Sequence, residues 1–311
     1  MDFQNASKEL NSSTKIFVNS DEWADEWEEY WVIFIDLIAF ANRCLISPGI
    51  TLNNIIRFHR AVSDALTDID DIIKYQFTDA CYVLTKDTKT ALIVAANIQN
   101  ECLLHNHIQI ENLPHTMFYQ MIVPKVVISK GNVLRVKKSE DLKNFKKYIG
   151  ISPEELLAGD GIVKAYYLEK KTTGGLISAV PEHIKELRKC GSGESKIKTN
   201  SLYKAWRKDY NNFFFSHDGV VDIPWLVLQP RQKRKGILEI ESEASFRMKL
   251  MSFNYIWRSN FTEHVAEKTP TETLKQYGGA LTHLCELVKM YLTAGNKSWD
   301  LIDIVENMNK I

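Results

Sequence analysis

The chain has 311 residues, 45% hydrophobic and 25% charged, and its 39 Lys+Arg balance 39 Asp+Glu, leaving no formal net charge. This composition suits one large or two modest folded domains able to bury a core without staples, and it excludes disorder, collagen-like repeats and a small disulfide scaffold. With no basic excess, broad electrostatic binding to nucleic acid is not expected, so function is sought in local sites.

Cys44, Cys81, Cys102, Cys190 and Cys285 are odd in number, widely spaced and never arranged as C-x-x-C, which fits reduced thiols. Residues 1–29 are polar and acidic, with Trp23 and Trp27 set among Glu22, Asp25, Glu26, Glu28 and Glu29. They lack the basic start and apolar run of a signal peptide. The longest apolar run, Trp31 to Phe40, contains Asp36 and is shorter than a bilayer span. A cytoplasmic protein with no membrane partner is expected.

In chain order, YWVIFID from Tyr30 is a β-branched and aromatic run that reads as a strand buried on both faces. Ser47-Pro48-Gly49 breaks it off. Ile55, Phe58, Val62, Ala65, Leu66 and Ile69 then recur at helical spacing, predicting a helix over 51–67. Asp68 to Asp71 is turn-like. IIKYQFTDACYVLT follows as a hairpin with Asp79 at or near its tip. Residues 88–105 return to helical spacing, and FYQMIVPKVVIS reads as a long strand. Lys130-Gly131-Asn132 has turn chemistry, with VLRVKK as a short partner strand after it. Ser152-Pro153-Glu154-Glu155 has the form of a helix start, continuing to about residue 171 with an interruption at Gly159-Asp160-Gly161.

The order βαββαββα suggests an α+β fold with helices on a mainly antiparallel sheet. An acidic lead-in (1–29) precedes a domain over 30–184, and a mixed, mostly helical C-terminal extension covers 185–311. The extension holds WLVLQP as a strand, the basic RQKRK loop at 231–235, and helical patterns over 243–260 and 271–293.

Asp36 lies inside an apolar strand, where a bare carboxylate is costly unless it is paired, neutralised or bound to a cation. Packing of the hairpin beside that strand brings Asp79 close to it. Two close carboxylates repel, and a hard divalent cation relieves the repulsion with oxygen ligands. The chemistry that needs such a pair is phosphoryl or nucleotidyl transfer. The alternative from residues alone is structural, with Asp36 ending a strand and Asp79 making a turn. Two alternate histidines, His105 and His107, have no third ligand motif nearby and read as surface residues. RQKRK reads as a solvated loop.

VIFIDLIAFAN, IIKYQFTDACYVL, KVVISKG and GDGIVKAYYLE, in that order, resemble the successive signatures of class III nucleotidyl cyclases over residues 30–170. Within that superfamily the chain most resembles the bacterial pyrimidine cyclases of Pycsar antiphage systems. The resemblance implies a ferredoxin-like βαββαβ core. It makes Asp36 and Asp79 the catalytic, metal-binding aspartates, with the Leu37 carbonyl as a further metal ligand and two Mg²⁺ or Mn²⁺ ions per site. Purine cyclases have a base-reading Lys at the fourth residue before the second aspartate; Tyr75 stands there, as in pyrimidine cyclases. Lys125 stands where the family usually has a substrate-contacting Arg, keeping the charge without the planar fork. Val163 and Tyr167 replace the ribose-binding Asn and the transition-state Arg. Lys164, Lys130 and Arg135 are then candidates for phosphate-stabilising charge, with a solvated face as the alternative for each.

By the same resemblance the substrate is a nucleoside triphosphate, CTP or UTP, and the product is cyclic CMP or cyclic UMP with pyrophosphate. The protein would be a homodimer with active sites at the interface, supplying a second messenger for antiphage defence to a separate effector. A catalytically silent cyclase-like sensor or scaffold is the rival reading. A nucleic-acid binder is a third, disfavoured by the lack of a reader motif, so no stable nucleic-acid partner is expected.

Overall fold

The computed structural model describes residues 27–38, 40–112, 120–135, 157–172, 175–191, 215–217 and 219–223. The helix start at Ser152, the strand WLVLQP, the RQKRK loop and the helical patterns over 243–260 and 271–293 lie outside the described residues.

Strand β1 (Trp27–Leu37) leads through a short helix α1 (Phe40–Ile46) to helix α2 (Pro48–Ala65). Ser47 starts α2 rather than only ending what precedes it. Its side chain accepts a bond from the Ile50 N–H at 3.4 Å, and Pro48 occupies the first turn, where its missing N–H costs nothing. Asp68 and Asp71 adopt left-handed backbone angles (φ 63° and 58°), turning the chain into β2 (Ile72–Gln76) and β3 (Ala80–Thr85). Asp87 Oδ2 accepts the Thr90 N–H at 2.7 Å and opens helix α3 (Thr88–Asn112), which runs well beyond the expected end at 105. Then come β4 (Pro124–Arg135), β5 (Leu157–Ala158), α4 (Asp160–Glu169), β6 (Ile177–Ala179), a single 3₁₀ turn (Pro181–His183) and α5 (Ile184–Gly191). Strands β7 (Phe215–His217) and β8 (Val220–Asp222) complete the described elements.

The strands form one sheet in the order β2-β3-β1-β4-β6-β8-β7, with β5 on β4. Pairings β1–β3, β1–β4 and β2–β3 are all antiparallel, so β1-α2-β2-β3-α3-β4 has the βαββαβ order with β1 at its centre, the ferredoxin-like arrangement. The β4–β6 pair is parallel. The fold is thus α+β with a mainly antiparallel sheet, and β8 joins chain from beyond residue 185 to that sheet through β6.

Two expectations are corrected. Lys130-Gly131-Asn132 is not a turn: β4 continues through it, paired with Trp31, Tyr30 and Glu29 of β1. The long partner strand overrides local turn chemistry. Gly131 is there for close approach instead, since a Cβ on it would lie 2.7 Å from the Gly161 backbone nitrogen. The helix expected to reach about 171 is α4, which starts at Asp160, and the two residues before its N-cap are strand β5, paired with Leu134 and Arg135.

Strand alternation gives the sheet two different faces. Trp31, Ile33, Ile35 and Leu37 are almost wholly buried on the side of α2 and α3. Tyr30, Val32, Phe34, Tyr82, Leu84, Val127 and Val133 form a second core on the other side, closed by Ala165 and Leu168 of α4. Ser129 Oγ donates to the Gly161 carbonyl at 2.7 Å, and the Asn132 N–H donates to Asp160 Oδ1 at 2.7 Å, locking α4 across β4.

Candidate active site

Asp36 is the residue after which the α4-side core turns polar. It follows Tyr30, Val32 and Phe34 on the same face of β1, with Ala80 of β3 on one side and Lys125 of β4 on the other. Asp79 directly precedes Ala80, and its carbonyl accepts the Leu37 N–H at 3.0 Å, so the hairpin tip is stitched to the end of β1. His59 of α2 buttresses that tip. Its Nε2 lies 3.1 Å from the Thr78 carbonyl, and its Nδ1 lies 2.9 Å from Gln76 Nε2. The two predicted aspartates are therefore brought to one end of β1, Asp36 from the strand itself and Asp79 from the β2–β3 turn tied to Leu37 by that backbone bond.

Lys125 is not alone beside Asp36. Its Nζ sits 2.7 Å from Glu169 Oε1, and these side chains are only 15% and 12% exposed. Glu169, the last residue of α4, also hydrogen-bonds Asp36. A bond between two carboxyls needs a proton on one of them. Burial, then the charges of Glu169 and Asp79, push the Asp36 carboxyl up to about 7, against a smaller opposing pull from Lys125. Burial also raises Asp79, with its own backbone and His59 pulling the other way. The Tyr82 hydroxyl is pushed up to about 12 by burial and then by Glu169, Tyr166 and Asp36. Asp36 and Glu169 thus converge on one ammonium, and the charge of Asp79 acts on Asp36 from the hairpin tip. This all-oxygen donor set, already short of positive charge, fits hard divalent cations.

Tyr75 faces Tyr82 across β2–β3, half-buried on the same side of the sheet and one strand row from Asp36. Phe34 stacks on Tyr82 with ring centroids 4.4 Å apart, continuing the aromatic floor. Asp36, Tyr75 and Lys125 therefore share one face of one sheet. Val163 and Tyr167 lie on the outer side of α4, 52% and 61% exposed. Lys164 pairs with Asp160 at 3.0 Å and Glu182 at 3.6 Å, and Lys130 pairs with Glu29 at 3.1 Å and Glu186 at 3.5 Å. Both lysines serve pairs away from Asp36. Nothing is described of the Arg135 side chain.

Glu169 escaped sequence reasoning because a Glu between Leu168 and two lysines at a helix end reads as solvated. The available signal was its spacing: Ala165, Leu168 and Glu169 share one side of α4.

His105 is a further correction. Because α3 continues to Asn112, residues 105 and 106 are mid-helix and not surface loop. Asn106 is buried and brackets Ile122, accepting its N–H at 2.9 Å and donating to its carbonyl at 2.8 Å. His105 Nε2 lies 3.2 Å from Asp64. Asp64, Glu101 and His105 offer ligand atoms within 4.8 Å of one another, the one such group among the described residues. Arg57, however, donates to the His105 carbonyl at 2.9 Å and to Asn106 Oδ1 at 3.3 Å. A permanent guanidinium at that spot fits a helix-to-helix polar network better than a cation site.

No family model and no curated protein matches the chain. Solved structures similar to it include the guanylyl cyclase Cya2 (13% identity, TM-score 0.42, 68% of this chain and 96% of that one). The adenylyl cyclase CyaB from P. aeruginosa is another (10%, 0.42, 68% and 98%), as is an adenylate cyclase from Trypanosoma brucei in its monomeric state (13%, 0.40, 66% and 95%). No described helix is long and apolar enough to cross a membrane.

Proposed function

We propose that the protein is a nucleotidyl cyclase acting on a pyrimidine ribonucleoside triphosphate, CTP or UTP. The observation that carries the reading is the meeting of Asp36 and Asp79 at the end of β1, joined by the Leu37–Asp79 backbone bond, on the face that also holds Tyr75 and Lys125. Asp36, Asp79 and the Leu37 carbonyl would hold two Mg²⁺ or Mn²⁺ ions. When bound, these lower the cost of deprotonating the ribose 3′-hydroxyl and neutralise charge on the phosphates.

The chain's own residues do the rest. By holding those ions, Asp36 and Asp79 would fix the reacting end of the substrate, where the 3′-hydroxyl gives up its proton to solvent, the new O3′–P bond closes a 3′,5′-cyclic monophosphate, and the bond to pyrophosphate breaks. Lys125 contributes positive charge beside them. Tyr75, backed by Tyr82, offers a ring and a hydroxyl to the base in place of the ammonium of purine cyclases, and its bulk favours the smaller pyrimidine. A homodimer with partner-supplied contacts, a cyclic-nucleotide effector and a role in antiphage defence belong to the same reading.

The rival reading, a silent sensor or scaffold, is favoured by Val163 and Tyr167 at the positions of the family's Asn and Arg. Incubation with each of the four ribonucleoside triphosphates and Mn²⁺ or Mg²⁺, followed by mass spectrometry, separates the two. Cyclic CMP or cyclic UMP supports the enzyme; nucleotide bound but unconverted in every mixture supports the sensor.

A further inference from the structure

Lys125 and Asp36 are directly opposed on β4 and β1 and point to the same face. Directly opposed side chains of an antiparallel pair start from Cβ atoms about 5 Å apart, well within the reach of a lysine. Left to themselves they would form an ion pair. An ammonium on Asp36 would then compete with a divalent cation for the same oxygen lone pairs. In the structure the Lys125 ammonium is instead 2.7 Å from Glu169, and what Asp36 shares with Glu169 is a hydrogen bond whose proton a divalent cation displaces.

Glu169 is well placed to take it. It ends a helix held across β4 by the Gly131–Gly161 contact and the Ser129–Gly161 hydrogen bond, and Leu168 beside it is buried in the core. Its carboxylate is thus delivered by packed backbone, with little rotamer freedom left to lose. We propose that Glu169 is a positioning residue that claims the Lys125 ammonium and so keeps that ammonium off the Asp36 oxygens a divalent cation would use.

This inference rests on the metal-site reading of Asp36 and Asp79 but goes beyond it. It assigns a task to a carboxylate outside the expected ligand set, and it differs from the simpler idea that Glu169 is itself a ligand. The two ideas diverge when Lys125 is also removed. If Glu169 works by occupying Lys125, loss of the lysine makes Glu169 dispensable; if it is a ligand, the loss of Glu169 persists.

The test is a Mn²⁺ titration of the full chain without nucleotide, with free Mn²⁺ read by electron paramagnetic resonance. Wild type, Glu169→Gln, Lys125→Met and the double variant are compared. Glu169→Gln should weaken Mn²⁺ binding by about tenfold, the lower end for residues that orient metal ligands. The double variant should recover most of that loss. Glu169→Asp, which keeps the charge on a shorter arm, should fall between wild type and Glu169→Gln, and it serves if the Gln variant fails to fold by circular dichroism.

Unchanged binding in Glu169→Gln, a double variant as weak as Glu169→Gln, or no Mn²⁺ uptake by wild type each overturns the proposal. The expected binding pattern without any cyclic nucleotide product would overturn the cyclase reading and leave the role of Glu169 standing. Cyclic product together with one of the overturning binding results would do the reverse.

Discussion

The two faces of β1 are built from alternate residues of the same eleven, yet they obey different rules. Trp31, Ile33, Ile35 and Leu37 on the helix-pair side are all apolar and buried to 2% exposure or less. The α4 side begins in the same way with Tyr30, Val32 and Phe34 and then, at Asp36, gives way to carboxylates around one lysine. The first face stabilises the fold. The second ends in a place where burial works against stability, the usual condition of a site kept for chemistry. The contrast turns each face into a prediction.

The largest effect is expected from exchanging the two kinds of residue in function. Asp36→Ala or Asp79→Ala should abolish cyclic nucleotide formation while the protein stays folded, as checked by circular dichroism. Ile33→Ala, three residues from Asp36 but on the other face, should instead cost about 2–5 kcal/mol in denaturant unfolding by leaving a cavity. If Asp36→Ala unfolds the protein as Ile33→Ala does, the two faces are not different in kind.

Smaller but more specific is Gly161→Ala. A Cβ there would stand 3.0 Å from Val32 Cγ2 and 3.3 Å from the Gly131 backbone, prying α4 from the sheet at a cost of about 1–3 kcal/mol. Because α4 carries Glu169, activity should fall as well, which a combined melting and rate measurement would reveal.

The pH dependence has a definite sign. A carboxyl whose folded pKa is raised, as for Asp36 to about 7, stays protonated when the unfolded chain has already lost its proton. Its contribution to stability is therefore greatest at acid pH and is lost as pH rises from about 4 to about 7 in metal-free protein. Asp36→Asn should remove that slope from the pH profile of the melting temperature. Mn²⁺ competes with the same proton, so its affinity for wild type should climb over this range. The smallest effect belongs to Lys164→Ala, whose exposed pairs with Asp160 and Glu182 are worth less than about 1 kcal/mol.

What was legible in the sequence follows the same division. Tyr30 to Asp36 announced a doubly buried strand, and Asp68–Asp71 and Thr78–Asp79 announced turns, because local chemistry and the fold agree there. The approach of Asp79 to Asp36 was expected on condition that the hairpin packs beside the first strand, as βαββ order allows, and β3 does pair with β1. Lys130–Asn132 misled because a Lys-Gly-Asn run favours turns locally, whereas eleven residues of β1 hold it as strand and Gly131 serves its neighbour Gly161. The true extent of α3 was hidden because its last turns bury polar residues, Gln109 and an Asn106 that hydrogen-bonds Ile122, where helical spacing leads one to look for apolar ones. Glu169 was invisible for a related reason. Its meaning lies in Lys125 and Asp36, which are distant in the chain and adjacent only after folding.

The most direct test of the central claim is one assay run on two proteins. Wild type and Asp79→Ala are each incubated with CTP or UTP and Mn²⁺, and the 3′,5′-cyclic product is quantified by mass spectrometry. Cyclic CMP or cyclic UMP from wild type and none from the variant is the expected result. No cyclic product from wild type, or equal product from both, would contradict the assignment of catalysis to the carboxylate cluster at the end of β1.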